Sequence, residues 1–419
     1  MTERLLQYIW QFQYFNKNKL STIENELVEI IRPGSLNNNQ GPDFLNAQIR
    51  INNTVWAGNI ELHIKSSDWL LHKHSSDKNY QNIILHVVWE NDIDLDERFP
   101  VITLQDKVSK LLLNKYDDLM DTHAFIACEN AAGSIDRLTW QSWKERLLIE
   151  RLEQRSAVIF QHLSKNNYHW EETFWWLIAR NFGIKVNADA FEQIANSLSI
   201  NILAKNKNQI HQVEALLFGQ AGLLNTDFEE KYPQMLKKEY AFLAKKYSLE
   251  SIKIPLHFLR MRPSNFPTIR LAQLAALIHK SQHLFSAIKE IDSYNEVALL
   301  LNITANDYWH YHYMFDEPSG YKEKNIGKQM INNIMINTIA PILFGYGQYH
   351  NKPKHKLKVL EWLERMPAEN NSITNAFIKL NITNKNAFDS QALIQLKNEY
   401  CNNKRCLECS IGNKLLKGL

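Results

Sequence analysis

The sequence predicts an α+β protein, a small mixed β-sheet domain at the N-terminus followed by a large all-helical region. Three observations carry this. Between Asp43 and Leu104, short alternating or β-branched runs recur, bounded by turn residues. From Asp136 onward the apolar spacing becomes that of amphipathic helices, with no strong strand signal. At 419 residues the chain is also too long for one ordinary core. The change of texture divides it into 1–130, a mixed-sheet domain, 131–400, a helical region, and 401–419, a cysteine-rich tail.

The elements follow in order. Residues 3–16 carry Leu5, Leu6, Ile9, Trp10 and Phe12 on a broad apolar face, which predicts a helix. Residues 22–32 read as a strand or short helix ending at Pro33-Gly34, and the polar SLNNNQ loop leads to Gly41. Asp43 to Ile51 and Asn59 to Lys65 predict two strands of a hairpin, with Asn52-Asn53 as the turn. In the second strand Ile60, Leu62 and Ile64 alternate with Glu61, His63 and Lys65, so the ionisable three share one face. Asn82 to Trp89 is almost wholly apolar, a strand buried on both faces, and His86 within it reads as a core histidine. A short strand at Val101–Leu104 and a helix over 108–120 complete the domain. Trp140 to Leu163 is one long amphipathic helix; further helices are predicted near 171–182, 188–198, 208–222, 228–246, 268–289, 293–300, 326–340, 354–364 and 390–401.

The hairpin is the first candidate site. It brings Asp43 toward Glu61 and His63, and two carboxylates beside a basic group suit a divalent cation that activates water. Downstream, His72, His74 and Asp77 form a dense polar group, read either as a solvated loop or as further contacts to the same site. Alternatively, they hold a transition metal of their own.

Pro42-Asp43 followed by Glu61-Leu62-His63 resembles the half-motifs of the PD-(D/E)XK nuclease superfamily, over roughly Leu20 to Gln105. That resemblance implies a mixed α/β core that cuts phosphodiester bonds with Mg2+ or Mn2+. Asp43 and Glu61 would hold the metal, and His63 would stand where the family has its lysine. Lys65, two residues on and on the same face, is the substitute. A protein that has lost catalysis and only binds nucleic acid, or acts as a scaffold, is the alternative. The whole chain also resembles a bacterial family known only as proteins of unknown function, which implies no activity.

Two stretches of the helical region are candidates for substrate contact or packing. Arg260 to Arg270 is a proline-fixed loop, in which Arg262 and Arg270 suit phosphate contact or pair with local acids. Tyr308 to Tyr313, an aromatic and histidine cluster, reads as a packed interdomain surface. At the C-terminus Cys401, Cys406 and Cys409 crowd together. With Cys128 they make the four thiolates that zinc or a [4Fe–4S] cluster requires, stapling the tail to the start of the helical region.

Composition bounds the rest. A net charge of +3 is too small to demand nucleic acid by itself, so a basic groove would have to be local. No GxxxxGK[ST] loop is present, which excludes an ATP-driven motor of that kind. The N-terminus lacks the apolar run of a signal peptide, and no stretch approaches the roughly 20 apolar residues of a membrane span. Four cysteines do not make a disulfide framework. The expectation is a cytoplasmic protein whose partner is nucleic acid, with room for a protein partner.

Overall fold

In the computed structural model, the chain reverses at Asn52 and Asn53, and the hairpin so formed is the middle of a six-stranded sheet. Asn52 adopts the left-handed conformation (φ 49°) that a tight hairpin needs and that asparagine tolerates. The structure describes residues 1–37, 39–95, 99–281 and 283–417. The strands are β1 (Val28–Arg32), β2 (Ser35–Leu36), β3 (Phe44–Ile51), β4 (Thr54–Lys65), β5 (Ile83–Glu90) and β6 (Val101–Thr103). Their order is β1-β3-β4-β5-β6, with β2 pairing the far end of β3. β1, β3 and β4 run antiparallel, whereas β4, β5 and β6 are parallel.

A parallel pair needs a crossover. Between β4 and β5 it is short: helix α2 (Asp68–Leu71), then two 3-10 turns at His74–Ser76 and Lys78–Tyr80. Ile60, Leu62, Leu85 and Val87 join the core. To it are added Leu5, Leu6, Ile9 and Trp10 of helix α1 (Glu3–Phe12), and Leu112, Tyr116 and Leu119 of helix α3 (Lys110–Asp121). α1 stops earlier than its apolar pattern suggests, because Gln13 turns left-handed (φ 54°).

The chain is α+β and forms two compact units. The first gathers Met1–Trp143 with Ile378–Ile382 and Gln395–Leu419, and the second gathers Lys144–Phe377 with Thr383–Ile394. The second unit is helical except for a two-stranded pair, His312–Met314 with Glu317–Pro318. Those strands are too short, and too rich in histidine and aromatics, to register as alternation. The helix expected over 268–289 is two helices, Pro267–Lys280 and Leu284–Glu290. They are separated at His283, whose φ is 46°. Of the Tyr308–Tyr313 aromatics, Trp309 is core, Tyr308 and Tyr313 are half-buried, and Tyr311 is exposed. Tyr308 stacks on His312 at 4.0 Å, Trp309 stacks on Phe218 at 5.0 Å, and the Trp309 indole donates to Glu214 Oε1 at 3.0 Å.

Candidate metal centre

β4 places Glu61 and His63 on the face opposite Ile60 and Leu62. Both are buried, at 5% and 1% exposure, which is rare for a carboxylate without a partner. Asp43, at the mouth of β3, is locked to them from the next strand. Its N–H donates to Glu61 Oε2 (3.0 Å), and its Oδ2 accepts from the Leu62 N–H (3.1 Å). A bulge at Asn46 (φ 57°) shifts the β3–β4 register between Phe44 and Ala47, next to this contact. Gln7 of α1 donates to the other oxygen of Asp43 at 2.8 Å.

The crossover then folds back over the same face. His63 Nε2 lies 3.1 Å from His72 Nδ1, and Glu61 Oε1 lies 3.4 Å from His74 Nε2 and 3.7 Å from His63 Nε2. The ligating nitrogens of His63, His72 and His74 all fall within 4.8 Å of one another. Behind them His86 of β5, wholly buried, presents Nε2 to His63 Nδ1 at 2.9 Å. Trp69 and Tyr80 wall the group: Tyr80 stacks on His74 at 3.9 Å, and Trp69 meets the His74 ring at 5.2 Å. The Trp69 indole is tied to Ser75 Oγ at 2.9 Å.

Burial sets the protonation states. It pushes His63 down to about 2, reinforced by His86, His74 and His72, and His86 down to about 3. Both imidazoles are therefore neutral near pH 7, the form that binds metals. Burial pushes Asp43 and Glu61 upward, and the charge of Asp43 raises Glu61 further. The two buried carboxyl groups thus lie beside the neutral imidazoles of His63 and His86. His74 Nε2 is buried and makes no hydrogen bond. An orphaned ring nitrogen among neutral imidazoles and carboxylates fits the donor set of a divalent ion.

The other sequence candidates lie apart from this cluster or at its edge. Lys65 is exposed at the end of β4, where its N–H bonds Asp68. Asp77 caps the Lys78–Tyr80 turn by accepting from Asn79 N–H (2.9 Å), close enough to act on the charge of His74. Arg262 and Arg270 belong to the second unit. Arg270 is buried and clamps its own loop, donating to Asn265 Oδ1 (2.6 Å) and Gln273 Oε1 (2.9 Å); Arg262 is exposed. Gln7 and His86 are contributors that sequence reasoning missed. His86 reads as core because its neighbours are apolar; only its pairing with Glu61 across β4 and β5 puts it on the site's face.

A family model described as Protein of unknown function (DUF2851) matches residues 3–372. The chain belongs to this family. No curated protein and no solved structure matches it. The matched span of this DUF2851 member takes in Asp43, Glu61, the four histidines and Gln7, but stops short of the three C-terminal cysteines. No helix among the described residues is long and apolar enough to cross a membrane.

Proposed function

We propose that this DUF2851 protein is a metal-dependent phosphodiesterase acting on DNA or RNA, with its cation held by Glu61, His63, His72 and His74, and with Asp43 beside them. The observation that carries the reading is the convergence of three imidazole nitrogens within 4.8 Å of one another, at a buried carboxylate. The phosphodiester substrate rests on the likeness of Pro42-Asp43 and Glu61-Leu62-His63 to PD-(D/E)XK nucleases.

The donor set sharpens the choice of ion. Imidazole suits zinc, iron, copper or nickel, whereas magnesium and manganese prefer oxygen ligands. Zn2+ or Fe2+ is therefore the expected occupant, with Mn2+ weaker and Mg2+ weaker still. A bound divalent ion supplies Lewis acidity toward a phosphoryl oxygen and a nucleophilic water at neutral pH. The chain's own groups do the rest. His63 is held by His86 in one ring orientation, and Asp43 is held by Gln7 and the Leu62 N–H. Trp69 and Tyr80 screen the histidines from solvent on one side. Lys65, exposed at the strand end, is the charge available to a phosphate backbone.

The test is cleavage of end-labelled single- and double-stranded DNA and RNA with Mn2+, Mg2+ or Zn2+, comparing wild type with Glu61→Ala, Asp43→Ala and His74→Ala. Zinc-dependent cutting is expected from the wild type, with Mn2+ a weaker activator and Mg2+ weaker still. Each folded variant should lose more than the roughly 10–100-fold that removing an outer partner of a ligand costs. A wild type that cuts nothing with any ion overturns the enzyme. If it still binds strands in a salt-dependent way, the nucleic-acid-binding scaffold takes its place.

A further inference from the structure

Cys128 begins the short helix Glu129–Ala132 (α4), and Cys401, Cys406 and Cys409 return from the far end of the chain into the same unit. Cys406 is part of the sheet's core, and Cys128 and Leu407 pack against that core. All four are free thiols, two buried and two half-buried. Two lysines tie the returning segment to the end of α3 and to the loop before α4. Lys397 Nζ donates to the Phe125 carbonyl at 2.6 Å, and Lys404 Nζ to the Met120 carbonyl. The thiols are near enough that Cys406 and Cys409 both act on Cys128 and on Cys401. That repulsion adds to burial in pushing their ionisation up.

The local backbone is shaped around sulfur. The N–H groups of Ile411 and Gly412 donate to the Cys409 sulfur. Gly412 lies so close to Cys406 that a Cβ there would collide with the Cys406 carbonyl. Only glycine lets the first turn of the helix Ser410–Lys417 close over the Cys406–Cys409 loop. Lys397 and Lys404 bring positive charge to Cys401 and Cys406, and both lysines already bond carbonyl oxygens.

We propose that Cys128, Cys401, Cys406 and Cys409 bind one thiophilic metal centre, a zinc ion or an iron–sulfur cluster, that fastens the C-terminal segment to the loop before α4. Three cysteines brought back to the segment that carries the fourth, and held there by Lys397 and Lys404, are the observation behind it. Four protein ligands leave no open position, so the centre is structural. It is separate from the histidine site and does not depend on the phosphodiesterase reading.

The full-length chain, purified anaerobically from zinc- and iron-supplemented cells, should retain about one zinc, or about four irons with matching acid-labile sulfide. X-ray absorption at the retained metal's edge should show a sulfur shell at about 2.3 Å. The edge itself distinguishes zinc from iron. Cys409→Ser should remove that shell, while His63→Ala should leave it. A wild type that retains no metal, or whose metal has only nitrogen and oxygen neighbours, overturns the proposal. Because metal content and sulfur shell are measured on the wild type, the test holds even where Cys409→Ser fails to fold.

Discussion

His63 has a nitrogen on each side of its ring and a different partner for each: His86 at 2.9 Å from Nδ1, His72 at 3.1 Å from Nε2. A ring kept neutral by burial carries one proton. If Nδ1 holds it and donates to His86 Nε2, Nε2 is left as a lone pair facing Glu61, His72 and His74. His86 Nδ1, buried and without a hydrogen-bond partner, then carries the proton of its own ring. A histidine in this state cannot replace a permanently charged lysine, but it can ligate. His86 is thus a positioning residue, and His86→Ala should weaken Zn2+ binding by about 10–100-fold. His86→Gln, which keeps an acceptor for Nδ1–H, should lose less. Calorimetric titration with Zn2+ reads both, and an affinity unchanged in His86→Ala would remove His86 from the site.

At the scale of elements, the crossover between β4 and β5 decides the site. The hairpin alone brings Asp43 to Glu61; the crossover adds His72 and His74 from above. Its hold on the sheet is polar as well as aromatic. Asp92, just after β5, accepts from the Ser67 N–H (3.0 Å) and the Ser67 hydroxyl (2.8 Å), pinning the start of the crossover. In the second unit a comparable constraint is steric. The helix Ile210–Gln220 is buried from Val213 to its end, and a Cβ at Gly219 would collide with the ring of Tyr240. Alanine's greater helix propensity returns about 1 kcal/mol, against roughly 1–3 kcal/mol for overpacking. Gly219→Ala should therefore destabilise the protein by up to about 2 kcal/mol in urea unfolding. An unchanged midpoint would mean that Tyr240 swings clear.

At the scale of the whole molecule, one buried acid ties stability to pH. Glu214 is fully buried and accepts from Trp309 Nε1 (3.0 Å), Asn306 Nδ2 (3.4 Å) and the Tyr232 hydroxyl. Burial outweighs these donors and pushes it from 4.5 up to about 7. The folded state therefore holds this proton more tightly than the unfolded chain. The resulting stabilisation is complete below about 4.5 and is lost as pH rises through about 7. Glu214→Gln cannot titrate. The difference in melting temperature between wild type and variant should shift against the wild type over that window and level off above it. A difference that stays constant with pH would show that the acid is already ionised in the fold.

Much of this was legible in the chain. Alternation at Ile60–Lys65 and turn chemistry at Asn52-Asn53 are local, and they determined the α+β class, the hairpin and the approach of Asp43 to Glu61. The spacing of the helical region determined most of its helices for the same reason. What only the tertiary structure decided is non-local. The parallel register sets His86 beside Glu61, and the side on which the crossover lies turns His72 and His74 into neighbours of His63. Arg270 faces inward and is taken by Asn265 and Gln273, although its loop reads as an exposed basic one. The C-terminal segment returns to bond Phe125 from a residue 272 positions away. Periodicity records which face of an element is apolar, but not which distant element will cover it, so shared sites appear only once the faces have met.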